Sequence, residues 1–180
     1  TKVVIGRINM GLLNRIIIDD VLLDDQSGQE MLKVTRLSAK FDIMPFFKGK
    51  ISISSVQLFG FNINLRKETP DSPPNFKFVL DAFASKDTVK KENSLDLRIN
   101  SILIRRGRMS YHVLSEEETP GKFNAKHIQL QNIIANISLK ALSKDSLNLG
   151  IKRLSLDEKA SGFSLKKMSL KLVANNKQTN

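Results

Sequence analysis

The sequence contains no cysteine and no tryptophan, and its only histidines are His112 and His127. The absence of cysteine excludes disulfides, thiolate metal sites and cysteine nucleophiles, but it leaves the redox compartment open, because an oxidising space requires no cysteine. A conventional zinc site would have to use carboxylates beside these two imidazoles. Each histidine lies in a strand-like stretch, where a lone imidazole is ordinary, so a catalytic role is not favoured.

Enzyme signatures are missing as well. The chain has no glycine-rich phosphate loop, no nucleophile elbow, no paired-histidine zinc motif and no dinucleotide fingerprint. We therefore predict a protein that is not an enzyme, with no catalytic residue, no metal ligand and no cofactor.

Long apolar runs are absent, since none approaches the roughly 18 residues that a membrane helix needs. The chain begins at Thr1 and not at an initiator methionine. We therefore expect an excised piece whose targeting segment lies upstream.

Negative charge is scarce relative to positive charge: 29 Lys and Arg against 18 Asp and Glu give a formal net charge of +11. Such a balance favours acidic partners, which include nucleic acid, anionic lipid headgroups and acidic proteins. Proteins that bind single-stranded nucleic acid usually stack bases on aromatic side chains, and this chain has one Tyr and no Trp. We predict no nucleic-acid partner.

What the sequence does have is a repeated apolar spacing, with apolar residues at offsets 0, 2, 5 and 7. The copies are Ile16, Ile18, Val21, Leu23; Leu32, Val34, Leu37, Ala39; Ile51, Ile53, Val56, Leu58; Leu97, Ile99, Ile102, Ile104; Leu149, Ile151, Leu154, Leu156; Phe163, Leu165, Met168, Leu170; and a weaker copy at Ile128, Leu130, Ile133, Ala135.

These offsets point in every direction around a helix, so they favour strands. On a strand, the step of three residues would move the second pair to the opposite face unless a bulge or bend absorbs one residue. The two central residues are generally polar or small, as in Asp19-Asp20 and Ser54-Ser55, which suits a kink that faces water. The alternative is a sheet that is covered differently along its length.

The paired carboxylates of the stretch IIIDDVLLDDQSG are explained by the same pattern. Asp19 and Asp20 occupy the central slot, where other copies have Ser, Thr, Asn, Lys or Arg, so the slot requires polarity and not a carboxylate. Asp24 to Gly28 has the composition of a turn. A calcium loop would need a different spacing of oxygen ligands and a later Glu, so a metal site here is not favoured.

One segment departs from the strand pattern. Phe76, Val79, Leu80 and Phe83 have helical spacing and follow Asn75, a helix-capping residue type, so we predict an amphipathic helix over about 76–84. The polar stretch at about 85–94 is expected to be a mobile loop, and 175–180 a frayed tail.

The predicted fold class is mainly β, with residues 1–174 in one domain: a curved antiparallel meander with bulged strands, shaped as an open groove or taco. An apolar face with one short helix to cover it must either close as a sandwich or barrel-like sheet, or remain a trough for acyl chains. In the trough, the predicted lining is Ile51, Ile53, Val56, Leu58, Leu97, Ile99, Ile102 and Ile104.

Basic residues at the rim of such a trough would contact lipid phosphates. Arg105, Arg106 and Arg108 are the candidates for anionic-headgroup contacts. The other interpretation is that they are outward residues of an edge or solvent-facing strand.

The order of motifs resembles the AsmA/TamB-like family, in particular its Bacteroidota-type members. The segment from Lys2 to Leu65 has an IG.I strand, an I.IDDV.L.D..G hairpin, LL.V..L...FD..P...GK and I.I..V.L.G in the family's order, except that LL of the third motif is represented by ML. LRINSILIRRGRMSYHV and LSLDEKASGFSLKKMSLKL are similar to later strands of these proteins.

The resemblance implies a periplasmic segment that is anchored to the inner membrane through a helix upstream of Thr1. Relatives form long β-sheets with an apolar groove, and they are associated with phospholipid transport to the outer membrane and with outer-membrane protein assembly. The expected partners are thus phospholipid or another acyl-chain ligand, and outer-membrane assembly proteins. A protein-interaction scaffold that conducts no lipid is the alternative. The resemblance implies no catalytic residue.

Overall fold

A computed structural model describes residues 1–42, 53–84, 100–142, 146–175 and 178–179. Their strands form one sheet in chain order, from β1 at one edge to β9 at the other. The strands are β1 (Val3–Gly11), β2 (Arg15–Asp24), β3 (Glu30–Phe41), β4 (Ile53–Lys67), β5 (Ser101–Val113), β6 (His127–Leu142), β7 (Ser146–Glu158), β8 (Ser164–Asn175) and β9 (Gln178–Thr179).

The sheet is a single open layer over the described residues. Among the described residues, the backbones of strands that are not neighbours in the sheet do not come within 8 Å of each other. The mainly β fold predicted from the sequence is therefore confirmed, and among the described strands β1 and β9 remain the two free edges of one sheet. No described helix has the length and apolar character to cross a membrane.

One junction differs from the predicted antiparallel meander, because β4 and β5 pair in parallel. Parallel neighbours need a crossover connection, and the chain between Lys67 and Ser101 supplies it. That connection contains the single described helix, α1 (Lys77–Ala84). All the other neighbouring strands pair antiparallel.

Helix α1 begins close to the predicted start, but Asn75 does not cap it. The Asn75 side-chain oxygen accepts a hydrogen bond from the Arg66 backbone N–H, and its amide group donates to Asp25 and to the Asn64 carbonyl. These bonds hold the segment that precedes the helix against the end of β4. The stretch 85–94, predicted as a mobile loop, lies outside the described residues.

Of the predicted frayed tail, 175–180, the structure describes Asn175, which ends β8, and Gln178 and Thr179. Gln178 and Thr179 form β9 and pair with Asn175 and Ala174, respectively.

A row of kinked residues crosses the sheet at one level. Asp20, Gly60, Arg106 and Asn132 all have positive φ, between 54° and 64°. Gly6 of β1 and Thr35 of β3 lie opposite Asp20 of β2. These three residues form no ladder pairs, but the strands on both sides of them pair in the same register. The predicted bend between the two halves of the apolar repeat is thus confirmed at Asp19-Asp20.

Further bulges occur at other predicted central pairs. Register shifts lie at Ser54 in β4, at Lys152 in β7 and at Lys166-Lys167 in β8. Each shift inserts a residue into one strand only, which returns the alternation of side chains to the same face.

The centre of the sheet is packed around Phe61. Its ring lies over Gly107, where an added Cβ would be 2.3 Å from the Phe61 Cε1 atom. On the far side of Gly107 lies Ile133, and Phe61, Ile133 and Val34 form the buried core cluster. The missing side chain at Gly107 lets one aromatic ring bridge β4 and β6 across β5.

We predict that Gly107→Ala destabilises the protein by about 1 to 3 kcal/mol, the usual cost of overpacking a core. Urea unfolding followed by circular dichroism measures this. In a Phe61→Leu background, which removes the ring atoms that the new methyl group would meet, the same substitution should cost clearly less. Equal costs in both backgrounds would contradict the proposed contact between ring and glycine.

Candidate functional site

The candidate site is the apolar face of the sheet, where four rows of side chains run across the strands. Two rows cross eight strands: Met10, Ile16, Ala39, Val56, Ile102, Ile137, Ile151, Leu170; and Ile8, Ile18, Leu37, Leu58, Ile104, Ala135, Leu154, Met168. Two more rows run from β1 to β6: Ile5, Val21, Val34, Phe61, Gly107, Ile133; and Val3, Leu23, Leu32, Ile63, Met109, Leu130.

Packing shows that the rows on the two sides of the kink share one face. Leu37, Leu58 and Ile104 lie on one side of the kink, and they pack on the same core cluster as Val21 and Ile63, which lie on the other side. Without the kink, the alternation of a strand would place these two groups on opposite faces. The face is therefore continuous along the strands as well as across them.

Exposure of this face increases from its centre to its edges. Val34 is 3% exposed, whereas Met10 in β1 is 79% exposed and Leu170 in β8 is 49% exposed. Side chains of the surrounding strands cover the centre, whereas the apolar side chains of β1 and several of β8 remain exposed. A large exposed apolar surface of this kind marks an interaction site.

Five of the eight predicted lining residues lie on this face. Val56, Leu58, Ile102 and Ile104 belong to its two longest rows. Ile53 pairs with Phe41 beyond the bulge at Ser54, which keeps it on the same face. The other three lie outside the described residues: Ile51, Leu97 and Ile99.

On β4 and β5 the apolar spacing continues beyond the sets predicted from the sequence. Each strand has a second set at offsets 0, 2, 5 and 7, which aligns with the set of β3 and begins at the third member of the predicted set. The complete sets are Val56, Leu58, Phe61, Ile63 and Ile102, Ile104, Gly107, Met109. Phe61, Ile63 and Met109 were therefore missed as residues of the apolar face. The signal that could have found them is the continued apolar alternation beyond Leu58 and Ile104.

The opposite face of the sheet is polar and largely basic. Arg105 pairs with Phe59 and Arg108 with Asn62, and the Arg106 guanidinium lies 5.3 Å from the centre of the Phe59 ring. All three arginines are exposed on a central strand. They do not border the apolar face. Their position agrees with the interpretation that they are outward residues of a solvent-facing strand, and not with contacts at the rim of a trough.

Three of the four aspartates around the first hairpin, Asp19, Asp20 and Asp25, have a structural role. Asp19 forms an ion pair with Arg36, 2.6 Å between Oδ1 and Nε, and this hydrogen bond lowers the pKa of Asp19. Asp20 is the kink residue of β2. Among the described residues, no cluster of possible metal ligands includes an aspartate.

Asp25 fixes the turn between β2 and β3. Its carboxylate accepts hydrogen bonds from the backbone N–H groups of Ser27 and Gln29 and from the Ser27 hydroxyl, and it pairs with Arg66 at the end of β4. Burial alone would raise the pKa of Asp25. The hydrogen bonds from Ser27, Gln29 and Asn75, together with the positive charge of Arg66, outweigh burial, so the pKa is lowered. The turn predicted at Asp24 to Gly28 is confirmed.

Glu158 has the same role at the turn between β7 and β8. Its carboxylate is buried and accepts bonds from the hydroxyl and N–H of Ser161 and from the N–H groups of Ala160 and Gln129. Burial opposes ionisation, but the hydrogen bonds prevail and lower the pKa of Glu158 to about 2. Buried carboxylates therefore stabilise the turns at one end of the sheet.

Comparisons with known proteins add no family assignment: no protein-family profile and no curated protein matches this chain. The resemblance to the AsmA/TamB-like family rests on the ordered motifs alone. A fold does not determine a function, so the function has to be inferred from the apolar face itself.

We predict that acid destabilises the protein partly through Glu158. Its folded pKa is below the unfolded value, so its contribution is complete above about pH 4.5 and is lost as the pH falls towards about 2. Glu158→Gln should lower the free energy of unfolding at pH 7 and reduce its change between these two pH values. Urea titrations across this range measure both effects, with Glu117→Gln, an exposed loop carboxylate, as control. An unchanged pH profile in Glu158→Gln would contradict the prediction.

Proposed function

We propose that this chain is a lipid-binding β-groove segment of the cell envelope, without enzymatic activity, whose apolar face holds the acyl chains of phospholipids. The observation that carries the proposal is the continuous apolar face on an open, single-layer sheet. Burying methylene groups on such a face is favourable by about 0.8 kcal/mol for each CH₂ group. An acyl chain of ordinary length thus gains enough free energy to bind without specific polar contacts.

The dimensions of the face suit acyl chains. Eight strands at a spacing of about 4.8 Å extend about 34 Å, whereas one leaflet of a bilayer contributes about half of a 30 Å hydrocarbon core. A row of aliphatic side chains across the strands is therefore longer than one lipid tail. More than one lipid can lie along the sheet, as transport along a groove requires.

The charge distribution supports the same function. The polar face carries exposed Arg36, Arg105 and Arg108, and the chain has a net charge of +11. Such a charge attracts anionic membrane surfaces over long range. We propose no contact between these arginines and the headgroup of a lipid on the other face.

The cellular setting is proposed from the resemblance. We infer a periplasmic segment that is anchored to the inner membrane in the full-length protein, and that serves phospholipid movement between the inner and outer membranes or outer-membrane biogenesis. Outer-membrane assembly proteins are the expected protein partners, and phospholipid or another acyl-chain molecule is the ligand.

A protein-interaction scaffold is the second candidate function, and strand β1 favours it. Within the described sheet, β1 pairs only with β2, so its other edge offers backbone N–H and C=O groups to another strand. Its apolar residues are strongly exposed, with Ile8 62% and Met10 79% exposed. A partner strand could extend the sheet at this edge.

We predict that Ile102→Asp reduces crosslinking to a phospholipid that carries a photoreactive acyl chain by about tenfold or more, because a carboxylate on the apolar face must be desolvated by the bound tail. Leu103→Asp is the matched control. Leu103 is the next residue of the same strand, and it faces Gln57 and Asn136 on the polar side. Its substitution should leave crosslinking within about twofold of the unchanged protein.

Folding of both variants is checked by circular dichroism. Leu170→Asp repeats the test at a position that is 49% exposed, where the substitution disturbs less packing, with Ser169→Asp as its control. Equal crosslinking in folded apolar-face and polar-face variants would exclude acyl-chain binding on this face. Capture of polypeptide at β1 with no acyl chain captured would favour the scaffold.

A further inference from the structure

The two histidines of the chain meet at one end of the sheet. His112 in β5 and His127 in β6 are cross-strand partners, and their Nδ1 atoms are 3.0 Å apart. Glu118, in the loop between these strands, places its Oε1 atom 3.9 Å from Nδ1 of His112 and 4.0 Å from Nδ1 of His127. One atom from each of three ligating side chains therefore points to a common position.

A backbone carbonyl fixes the protonation of one imidazole. Nε2 of His127 lies 2.9 Å from the carbonyl oxygen of Glu116, which can only accept a hydrogen bond. Nε2 therefore carries a proton, and in the neutral ring Nδ1 has a free lone pair directed at His112 and Glu118. Metal-binding histidines are commonly held in this way, with the second ring nitrogen donating to a carbonyl.

We propose that His112, His127 and Glu118 bind a divalent transition-metal ion, for which Zn²⁺ fits best. Two imidazoles and a carboxylate form a ligand set typical of zinc, whereas Ca²⁺ and Mg²⁺ prefer oxygen ligands alone. Tetrahedral bonds of about 2.0 to 2.1 Å place two ligating nitrogens about 3.4 Å apart, so the imidazoles need to separate by only a few tenths of an ångström. Glu118 is 64% exposed and lies in a loop, so its carboxylate can complete the site.

Three protein ligands leave a fourth position for water or another ligand. A cavity of about 270 Å³ adjoins His127 and Glu118, and Asn124, Gln129 and Lys159 also line it. The ion and its water can enter from this side. The nearby Lys126 is paired with Glu116, which reduces its repulsion of a cation.

A bound ion would attach the loop between β5 and β6 to the ends of both strands. Side chains alternate along β5. Tyr111 and Val113 point to the apolar side, so His112, which lies between them in the sequence, points to the polar side. The metal site is thus on the side of the sheet that the proposed lipid does not occupy. Binding of the ion and binding of lipid can be tested independently.

The test titrates the 180-residue chain, without an affinity tag and after removal of metals by chelation, with Zn²⁺ in a calorimeter. We expect one ion per chain. Glu118→Gln should weaken binding by about tenfold or more, since loss of even an outer partner typically costs a metal site 10- to 100-fold. Glu117→Gln is the matched control, because Glu117 is an exposed neighbour outside the cluster, and it should bind as the unchanged chain does.

Co²⁺ titration gives a second measurement, because visible absorption of a tetrahedral complex reports the ligand geometry directly. His112→Gln should abolish this absorption, with circular dichroism to show that the sheet is retained. The proposal is overturned if the unchanged chain binds no Zn²⁺, or if Glu118→Gln and His112→Gln both bind it with unchanged affinity. These outcomes do not depend on lipid binding.

Discussion

The structure depends on one geometric constraint: every strand must bend where its apolar alternation would otherwise change face. The bend is made at one level across β1 to β6, and it uses left-handed backbone at Asp20, Gly60, Arg106 and Asn132. The spacing 0, 2, 5, 7 reads the same in both chain directions. Antiparallel neighbours can therefore align their apolar residues row by row, as β2 and β3 do. Straight strands would divide the same residues between two half-apolar faces, and no continuous surface would exist.

The sequence was sufficient for the strand type, the bends and one apolar face, because these follow from local alternation. It was insufficient for features that depend on the pairing of strands distant in the chain. The phase of the repeat on β4 was ambiguous, since Val56 and Leu58 fit both as the second half of one set and as the first half of the next. The register with β3 shows that both sets lie on one face, the first through the bulge at Ser54 and the second through the kink at Gly60. The parallel junction could have been inferred from the helix between β4 and β5, because a crossover commonly contains one.

The candidate sites show the same division between local and long-range information. That the central slot at Asp19-Asp20 needs polarity was visible in the other copies of the repeat. That Arg105, Arg106 and Arg108 lie on the polar face depends on where the bend falls in β5, which the sequence left open. The cluster of His112, His127 and Glu118 depends on the pairing of β5 with β6 and on the path of the loop between them. No local pattern encodes such a cluster.

The composition of the apolar face supports the proposal of a lipid occupant over that of a protein partner. Protein interfaces are enriched in aromatic residues and arginine at their centres, because rigid, specific contacts give most of the binding free energy. In the four rows, Phe61 is the sole aromatic residue, and it is buried in the centre of the sheet. Phe41 and Tyr111 lie on the same face beyond these rows and are half-buried. The exposed members are aliphatic or methionine. A second protein layer would have to match the kink row at a fixed separation of about 10 Å, whereas fluid acyl chains adapt to an irregular surface. An exposed surface of aliphatic and methionine side chains is suited to a ligand that moves along it.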